Sequence, residues 1–150
     1  MSEMSQSELV QLGEEISQHL GSRDYTAALA AIQQIPLSAR TPLVLSADAL
    51  CMAAVKGSYK SAVSLCHEAI KKDPKTAEHY YRQGRIFLLA GRRKDAIWVF
   101  RMGLRHGRHK EILETLAAMG IRRQPPLNFL PRSNPLNKYL GLLLAKLNLR

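Results

Sequence analysis

The sequence has few cysteines, the residues whose disulfides stabilise many small folds. Its 150 residues include two cysteines, Cys51 and Cys66, which form no C-x-x-C pair. Two thiols without another sign of an oxidising compartment indicate reduced, packed side chains rather than a disulfide framework. The hydrophobic share of 46% is ordinary for a globular protein, so we expect an apolar core to hold the fold.

Long apolar runs are also missing. No window approaches the roughly 18 apolar residues of a membrane-spanning helix, and the richest stretch, residues 139–149, is interrupted by Lys146. The polar, acidic N-terminal residues 1–8 lack the basic flank and the apolar stretch of a secretory signal. We therefore expect no transmembrane segment and a cytoplasmic location.

Motifs of catalysis are absent as well. The sequence contains no nucleophile elbow, phosphate loop or H-E-x-x-H pattern. His106 and His109 are three residues apart, but the arginines around them repel cations, which disfavours a metal site. The sequence therefore predicts a protein that is not an enzyme, with no cofactor and no metal.

Acidic residues are scarce, at 12 against 22 lysines and arginines, and the net charge is +10. The charge is not spread evenly. Residues 1–42 carry a net charge of −3, whereas residues 77–110 hold nine basic and two acidic side chains. Such a field favours an acidic partner, whether a protein, a nucleic acid or a membrane surface.

What the sequence does contain is a repeat with a period of 34 residues. Ala28, Ala62 and Ala96 share one column of it, and Gly57 and Gly91 share another.

The last repeat, residues 77–110, has the pattern of a helical hairpin. Its first helix carries Tyr80, Gln83, Gly84 and Phe87 on one face, Gly91 provides a left-handed turn, and a second helix runs from about residue 94 to 104. Small residues at positions 84, 96 and 103 favour a close helix crossing filled by Phe100.

These residues resemble a tetratricopeptide repeat. The resemblance rests on residues 80–87 with Gly91, Ala96 and Phe100, and on residues 57–59 with Ala62 and residues 69–74. It implies an all-α superhelix of antiparallel hairpins, with units at about 9–42, 43–76 and 77–110. The first unit is the weakest, because Pro36 shortens its second helix. Residues 110–119 predict a capping helix, so the array is expected to occupy residues 1–120.

The resemblance further implies a non-enzymatic module that binds a protein or peptide segment in a concave groove, as an adaptor or small chaperone-like holder. The groove positions carried over to this sequence are Val44, Ala47, Cys51, Val55, Glu78, Tyr81, Arg85 and Leu88. Some of these are open to a simpler reading as packing between helices. One subtype grips acidic C-termini with a clamp of lysine, asparagine and arginine. Ala47, Asp48 and Cys51 stand at the matching positions and cannot form that clamp.

A second interpretation concerns the basic residues between 82 and 110. The candidates for a basic face are Arg92, Arg93, Lys94, Arg101, Arg105 and Arg108. They favour nucleic-acid binding through phosphate contacts. The alternative is a solvated face whose charges complement a helix dipole, and the small number of aromatics argues for it, since bases would have little to stack on.

After Gly120 the composition changes. Residues 124–135 contain four prolines, which predicts an extended segment, and Pro135 begins a final helix. That helix has an apolar stripe of Leu136, Tyr139, Leu140, Leu143 and Leu147, widened by Leu142 and Leu144. A stripe of this size is expected to be covered. Its own array, a second copy through self-association, a foreign partner and a membrane surface remain open.

Overall fold

The computed structural model describes residues 5–120 and 134–146. Every regular element in these ranges is helical, which confirms the predicted all-α class. The α-helices of the described ranges are, in chain order, α1 (Gln6–Gly21), α2 (Tyr25–Gln34), α3 (Pro42–Lys56), α4 (Tyr59–Lys72), α5 (Ala77–Leu89), α6 (Arg93–Gly103), α7 (Lys110–Ala118) and α8 (Pro135–Lys146). Among them, none is both long and apolar enough to cross a membrane.

Local sequence signals set the helix ends. The Ser5 hydroxyl accepts a hydrogen bond from the Glu8 amide, and the Glu8 carboxylate accepts one from the Ser5 amide, which together form a capping box at the start of α1. α2 ends at Gln34, two residues before Pro36, and a short 3-10 turn leads to α3. Thr41 caps α3 through its hydroxyl, with Pro42 in the first helical position.

The turn inside each hairpin uses one column of the repeat. Gly57 and Gly91 adopt left-handed conformations, with φ of 64° and 73°, at no steric cost for a glycine. In the first hairpin the same column holds Arg23, whose φ is 61°. A side chain in this conformation is strained by roughly 1–2 kcal/mol. The first unit therefore keeps the turn geometry of the other two without their turn residue.

Two buried clusters connect neighbouring hairpins. The first joins α1 and α2 to one face of α3, and its buried members are Ile16, Ala28, Leu29, Ala31, Ile32, Ile35, Ala47 and Cys51. The second joins the opposite face of α3 to α4 and α5, and its buried members are Ala49, Leu50, Ala53, Ala62, Cys66 and Ile86. Because α3 contributes to both, it is apolar nearly all round, as a helix in the middle of a stack must be.

The third hairpin is built on the predicted close crossing of α5 and α6. A Cβ atom placed on Gly84 would lie 2.6 Å from Phe100 Cζ and still closer to two other ring atoms. On Gly103 it would lie 2.8 Å from Tyr80 Cβ and 2.9 Å from Ile112 Cδ1. Both glycines are thus required by space rather than by backbone conformation.

The chain divides into two units, Met1–Thr115 and Leu116–Arg150. The division falls inside α7, whereas the sequence predicts that the array ends at residue 120. Residues 121–133, with the extended segment expected there, lie outside the described residues. The boundary at residue 120 therefore stays a prediction. In the second unit, α8 begins at Pro135, as predicted, and the Leu136 amide donates to Asn134 Oδ1 at 3.0 Å.

The apolar stripe of α8 is largely exposed. Leu136, Tyr139, Leu142 and Leu143 are between 53% and 70% exposed, and Leu147 lies outside the described residues. Which surface covers this stripe, including a second copy of the chain, stays a prediction.

Candidate functional site

Tyr81 and Arg85 form the centre of the candidate site. They lie one turn apart on α5, and Arg85 Nη1 donates to Tyr81 Oη at 2.9 Å. Nη2 of the same guanidinium reaches Tyr25 Oη at 3.0 Å, at the start of α2. Both partners are neutral phenols, and no carboxylate of the described residues lies within ion-pair distance of Arg85. Two hydroxyls therefore hold a half-buried cation in place, with no counter-ion among the described residues.

A second layer of polar contacts supports Tyr81. Its ring stacks on His109, with centroids 5.2 Å apart. His109 Nε2 lies 2.8 Å from Glu78 Oε2, and the other carboxylate oxygen of Glu78 accepts from Arg82 Nε at 2.9 Å. Glu78 was predicted to line the groove. In the structure its carboxylate is engaged by these two side chains and orients the support for Tyr81.

Apolar side chains continue the Arg85 face toward the end of α5. Leu88 and Leu89 follow Arg85 by three and four residues, which places them on the same side of the helix. Leu88 is half-buried and Leu89 is 41% exposed. Val55, which occupies the Leu89 column on α3, is 44% exposed. Leu88 and Leu89 provide accessible apolar surface on the Arg85 side of α5, and Val55 provides more on α3.

The groove prediction is corrected at its other end. Ala47 and Cys51 are 1% and 0% exposed and belong to the core shared by α1, α2 and α3. Val44 is half-buried and packs against the same core. The preceding hairpin covers this part of α3, so a partner would not reach Ala47 or Cys51.

Asp48 also has an internal role. Its carboxylate accepts from Arg40 Nη1 at 2.6 Å, and Arg40 donates further to the carbonyls of Ile32 and Ile35. Both side chains are about nine-tenths buried. Burial raises the pKa of Asp48, with the Arg40 charge opposing that shift. The pair closes the end of α2 onto α3, a role that the sequence did not reveal.

The side chains of Ser46, His79 and Asp73 meet between α3 and α5. His79 Nδ1 is 2.9 Å from Ser46 Oγ, and His79 Nε2 is 3.4 Å from Asp73 Oδ2. These are the residue types of a hydrolase triad, but a nucleophilic hydroxyl must reach its substrate. Ser46 is 0% exposed, donates to the Leu43 carbonyl and accepts from Arg82 Nη1. The cluster is a buried polar network that joins two hairpins.

The buried imidazole predicts a loss of stability on mild acidification. Burial lowers the pKa of His79 below its ordinary 6.5, with Arg82 acting in the same direction and Asp73 and Glu78 opposing. As pH falls below about 6.5, the unfolded chain therefore binds a proton that the folded chain resists. The free energy of unfolding is expected to fall as the pH drops below about 6.5, by at most about 1.4 kcal/mol per pH unit.

Urea unfolding at several pH values checks this expectation. His79→Gln is expected to flatten the pH dependence, whatever it costs in absolute stability. His67→Gln, at an exposed position on α4, is the matched control and should retain the parent's slope. An unchanged slope in His79→Gln would show that another group titrates.

The predicted basic face lies on and beside α6. Arg93, Lys94, Arg101, Arg105 and Arg108 are exposed in the structure. Arg92 is also exposed, lies over the Phe87 ring at 4.8 Å and pairs with Asp95. The sequence analysis did not single out Trp98, which lies between these basic residues on α6. Trp98, the only tryptophan, is 64% exposed on α6, and its position midway between the inward-facing Ala96 and Phe100 would have placed it outward.

Histidine, cysteine and carboxylate side chains are the remaining candidates for metal or thiol chemistry. No three His, Cys, Asp or Glu side chains come together as a metal site within residues 5–120 and 134–146. Cys51 and Cys66 are free and fully buried, and burial raises the pKa of both thiols to about 12. Thiols of this kind are unreactive packing groups.

Neither the protein-family models nor the curated proteins contain a match to this chain. Among solved structures, the chain is similar to the crystal structure of the Sgt2 TPR domain from Aspergillus fumigatus. The two align with a TM-score of 0.56 over 87% of this chain and 92% of that chain, at 18% sequence identity. At this identity the likeness shows the fold alone. The chain has an all-α helical-repeat fold of the tetratricopeptide type.

Proposed function

We propose that the chain is a non-enzymatic protein-binding module, an adaptor or small holder that takes up a segment of another protein on the α5 face. Helical-repeat scaffolds of this type present an extended surface built from successive first helices, and that surface is their usual binding site. The two free, buried thiols support a cytoplasmic location, where cysteines stay reduced.

The observation that carries the proposal is that Arg85 has no carboxylate partner among the described residues. A guanidinium has five N–H donors, and the two phenols engage one donor on each of two nitrogens. A half-buried charge without a counter-ion is costly, and a carboxylate from a partner would remove that cost. The two tyrosines already fix the side chain, so little further ordering is needed on binding.

The neighbouring residues define the partner more closely. Leu88, Leu89 and Val55 offer apolar contact beside Arg85, and tyrosine and arginine are the residue types that dominate binding energy at interfaces. The surface therefore suits a short segment that carries an Asp, a Glu or a C-terminal carboxylate next to apolar side chains. An amphipathic helix or an extended strand could present that pattern.

Selection from a random peptide library displayed on phage, with the folded chain as bait, tests this proposal. We expect the enriched peptides to share an acidic residue beside apolar ones. Arg85→Gln is expected to weaken their binding by about 10- to 100-fold, the usual loss for a charge-assisted hydrogen bond, because the amide can donate to a carboxylate but carries no charge. The melting temperature should change little.

Arg101→Gln is the matched control, since it removes one positive charge from the exposed face of α6. It is expected to leave peptide affinity within about twofold, as a screened surface charge does. If the two variants lost equal peptide affinity, the binding would depend on the overall positive charge and not on Arg85. Enrichment of peptides without acidic residues would contradict the role given to Arg85.

A further inference from the structure

One face of α6 combines cations with the only tryptophan of the sequence. Lys94, Trp98 and Arg101 follow one another at intervals of four and three residues, so they lie within one narrow arc of α6, and Arg105 follows two residues after the helix ends at Gly103. All four are exposed. At 1.5 Å per residue the helical part of the row, from Lys94 to Arg101, is about 10 Å long. It lies on the side of α6 opposite the buried Ala96 and Phe100.

The charges of this row are not neutralised from within the helix. Asp95 is the single acidic residue of α6, and its carboxylate forms an ion pair with Arg92 Nε at 2.8 Å. None of Lys94, Arg101 and Arg105 is within ion-pair distance of a described carboxylate. The row therefore keeps three positive charges in a region that is strongly basic as a whole. A field of this kind attracts polyanions.

Trp98 gives the row a second property. Its indole is 64% exposed. Lys94 and Arg101 lie on either side of it, each about one helical turn away. Successive aromatic and basic side chains are the means by which proteins hold single-stranded nucleic acid, the aromatic ring stacking on a base and the cations contacting phosphates. We propose that the Lys94–Trp98–Arg101–Arg105 row binds single-stranded nucleic acid.

The composition of the row favours this ligand over two others. A membrane surface requires an apolar face that enters the headgroup region, and Trp98 is the only large apolar side chain of α6 that is exposed. An acidic peptide would satisfy the three cations but has no planar base for the indole. Duplex DNA keeps its bases stacked within the helix and out of reach of a single exposed ring. A single strand uses both the charges and the ring.

Because the chain has one tryptophan, its own fluorescence reports directly on this row. Titration with a single-stranded oligothymidine of about 20 nucleotides at low salt is expected to quench that fluorescence. With a labelled oligonucleotide and anisotropy detection, Trp98→Ala is expected to weaken binding about tenfold, and Trp98→Phe to restore part of it. Arg101→Gln with Arg105→Gln should reduce the slope of log K against log salt by about 1.4.

The matched control removes two exposed lysines of α4, with Lys60→Gln and Lys71→Gln. It is expected to leave both the affinity for the oligonucleotide and the quenching near the parent's. Binding without quenching, or an equal loss in the control, would overturn the proposal. Tighter binding to polyglutamate or to phosphatidylserine vesicles than to the oligonucleotide would also overturn it, in favour of an acidic protein or a membrane. Since Arg85 lies outside the row, Arg85→Gln should leave oligonucleotide binding intact, which separates this test from that of the peptide surface.

Discussion

Gly84→Ala is expected to lower the free energy of unfolding by up to about 2 kcal/mol, although alanine is the better helix former. The added methyl group would enter the Phe100 ring, which is itself 0% exposed and cannot move aside without displacing its neighbours. Overpacking a dense core costs about 1–3 kcal/mol, and the higher helix propensity of alanine offsets about 1 kcal/mol of that cost. Urea unfolding followed by far-UV circular dichroism measures the difference.

Gly13→Ala is the matched control. Gly13 lies inside α1, and a Cβ atom there would meet nothing within 4 Å. Only the propensity effect remains, so this variant is expected to gain about 0.5–1 kcal/mol. Combining Gly84→Ala with Phe100→Leu should cost less than the sum of the two single changes, because the smaller side chain leaves room for the methyl group. The close crossing of α5 and α6 predicts changes in the free energy of unfolding of opposite sign for Gly84→Ala and Gly13→Ala. The same sign at both would refute that packing.

Asp48→Ala is expected to be more costly still, at about 3–5 kcal/mol. It leaves the Arg40 guanidinium buried without its counter-ion, and breaking a buried pair by removing one partner has costs of this order. Arg40 also donates to two carbonyls near the end of α2, so its displacement would loosen the junction of α2 and α3. Thermal unfolding measures the loss.

The exposed pair of Arg92 and Asp95 provides the comparison. Its side chains are 58% and 47% exposed, and exposed pairs contribute about 0–1 kcal/mol. Asp95→Ala should therefore change stability by no more than that. If Asp48→Ala is as mild as Asp95→Ala, the Arg40–Asp48 pair is not a structural element of the junction.

Sequence periodicity predicted the hairpins well because the features that repeat are the features that pack. The Ala28, Ala62 and Ala96 column is fully buried in all three hairpins, and the glycines at 57 and 91 take the left-handed turn. A small residue at a crossing or a glycine at a turn has one physical reason to recur. A pattern of this kind therefore survives even where the first unit replaces the turn glycine with Arg23.

The candidate site was predicted only in part. Periodicity assigned Ala47 and Cys51 to an accessible surface, but it does not say which neighbour covers a given helix face, and α1 and α2 bury both. The contact of Arg85 with Tyr25 spans 60 residues of sequence. No spacing rule connects the two. Polar networks such as that of Ser46, His79 and Arg82 likewise depend on side-chain geometry that arises after the hairpins stack.

The site and the basic row lie on different elements, and this makes the central claim directly measurable. A protein segment is expected to bind on the α5 face through Arg85. Nitrogen-15 NMR of the chain, titrated with a selected peptide, locates the contact. The backbone amides of Tyr81, Arg85 and Leu88 and the Arg85 side chain are predicted to shift, while the Trp98 indole N–H on α6 stays unchanged. Shifts centred on Trp98 and Arg101, with α5 unperturbed, would contradict the account.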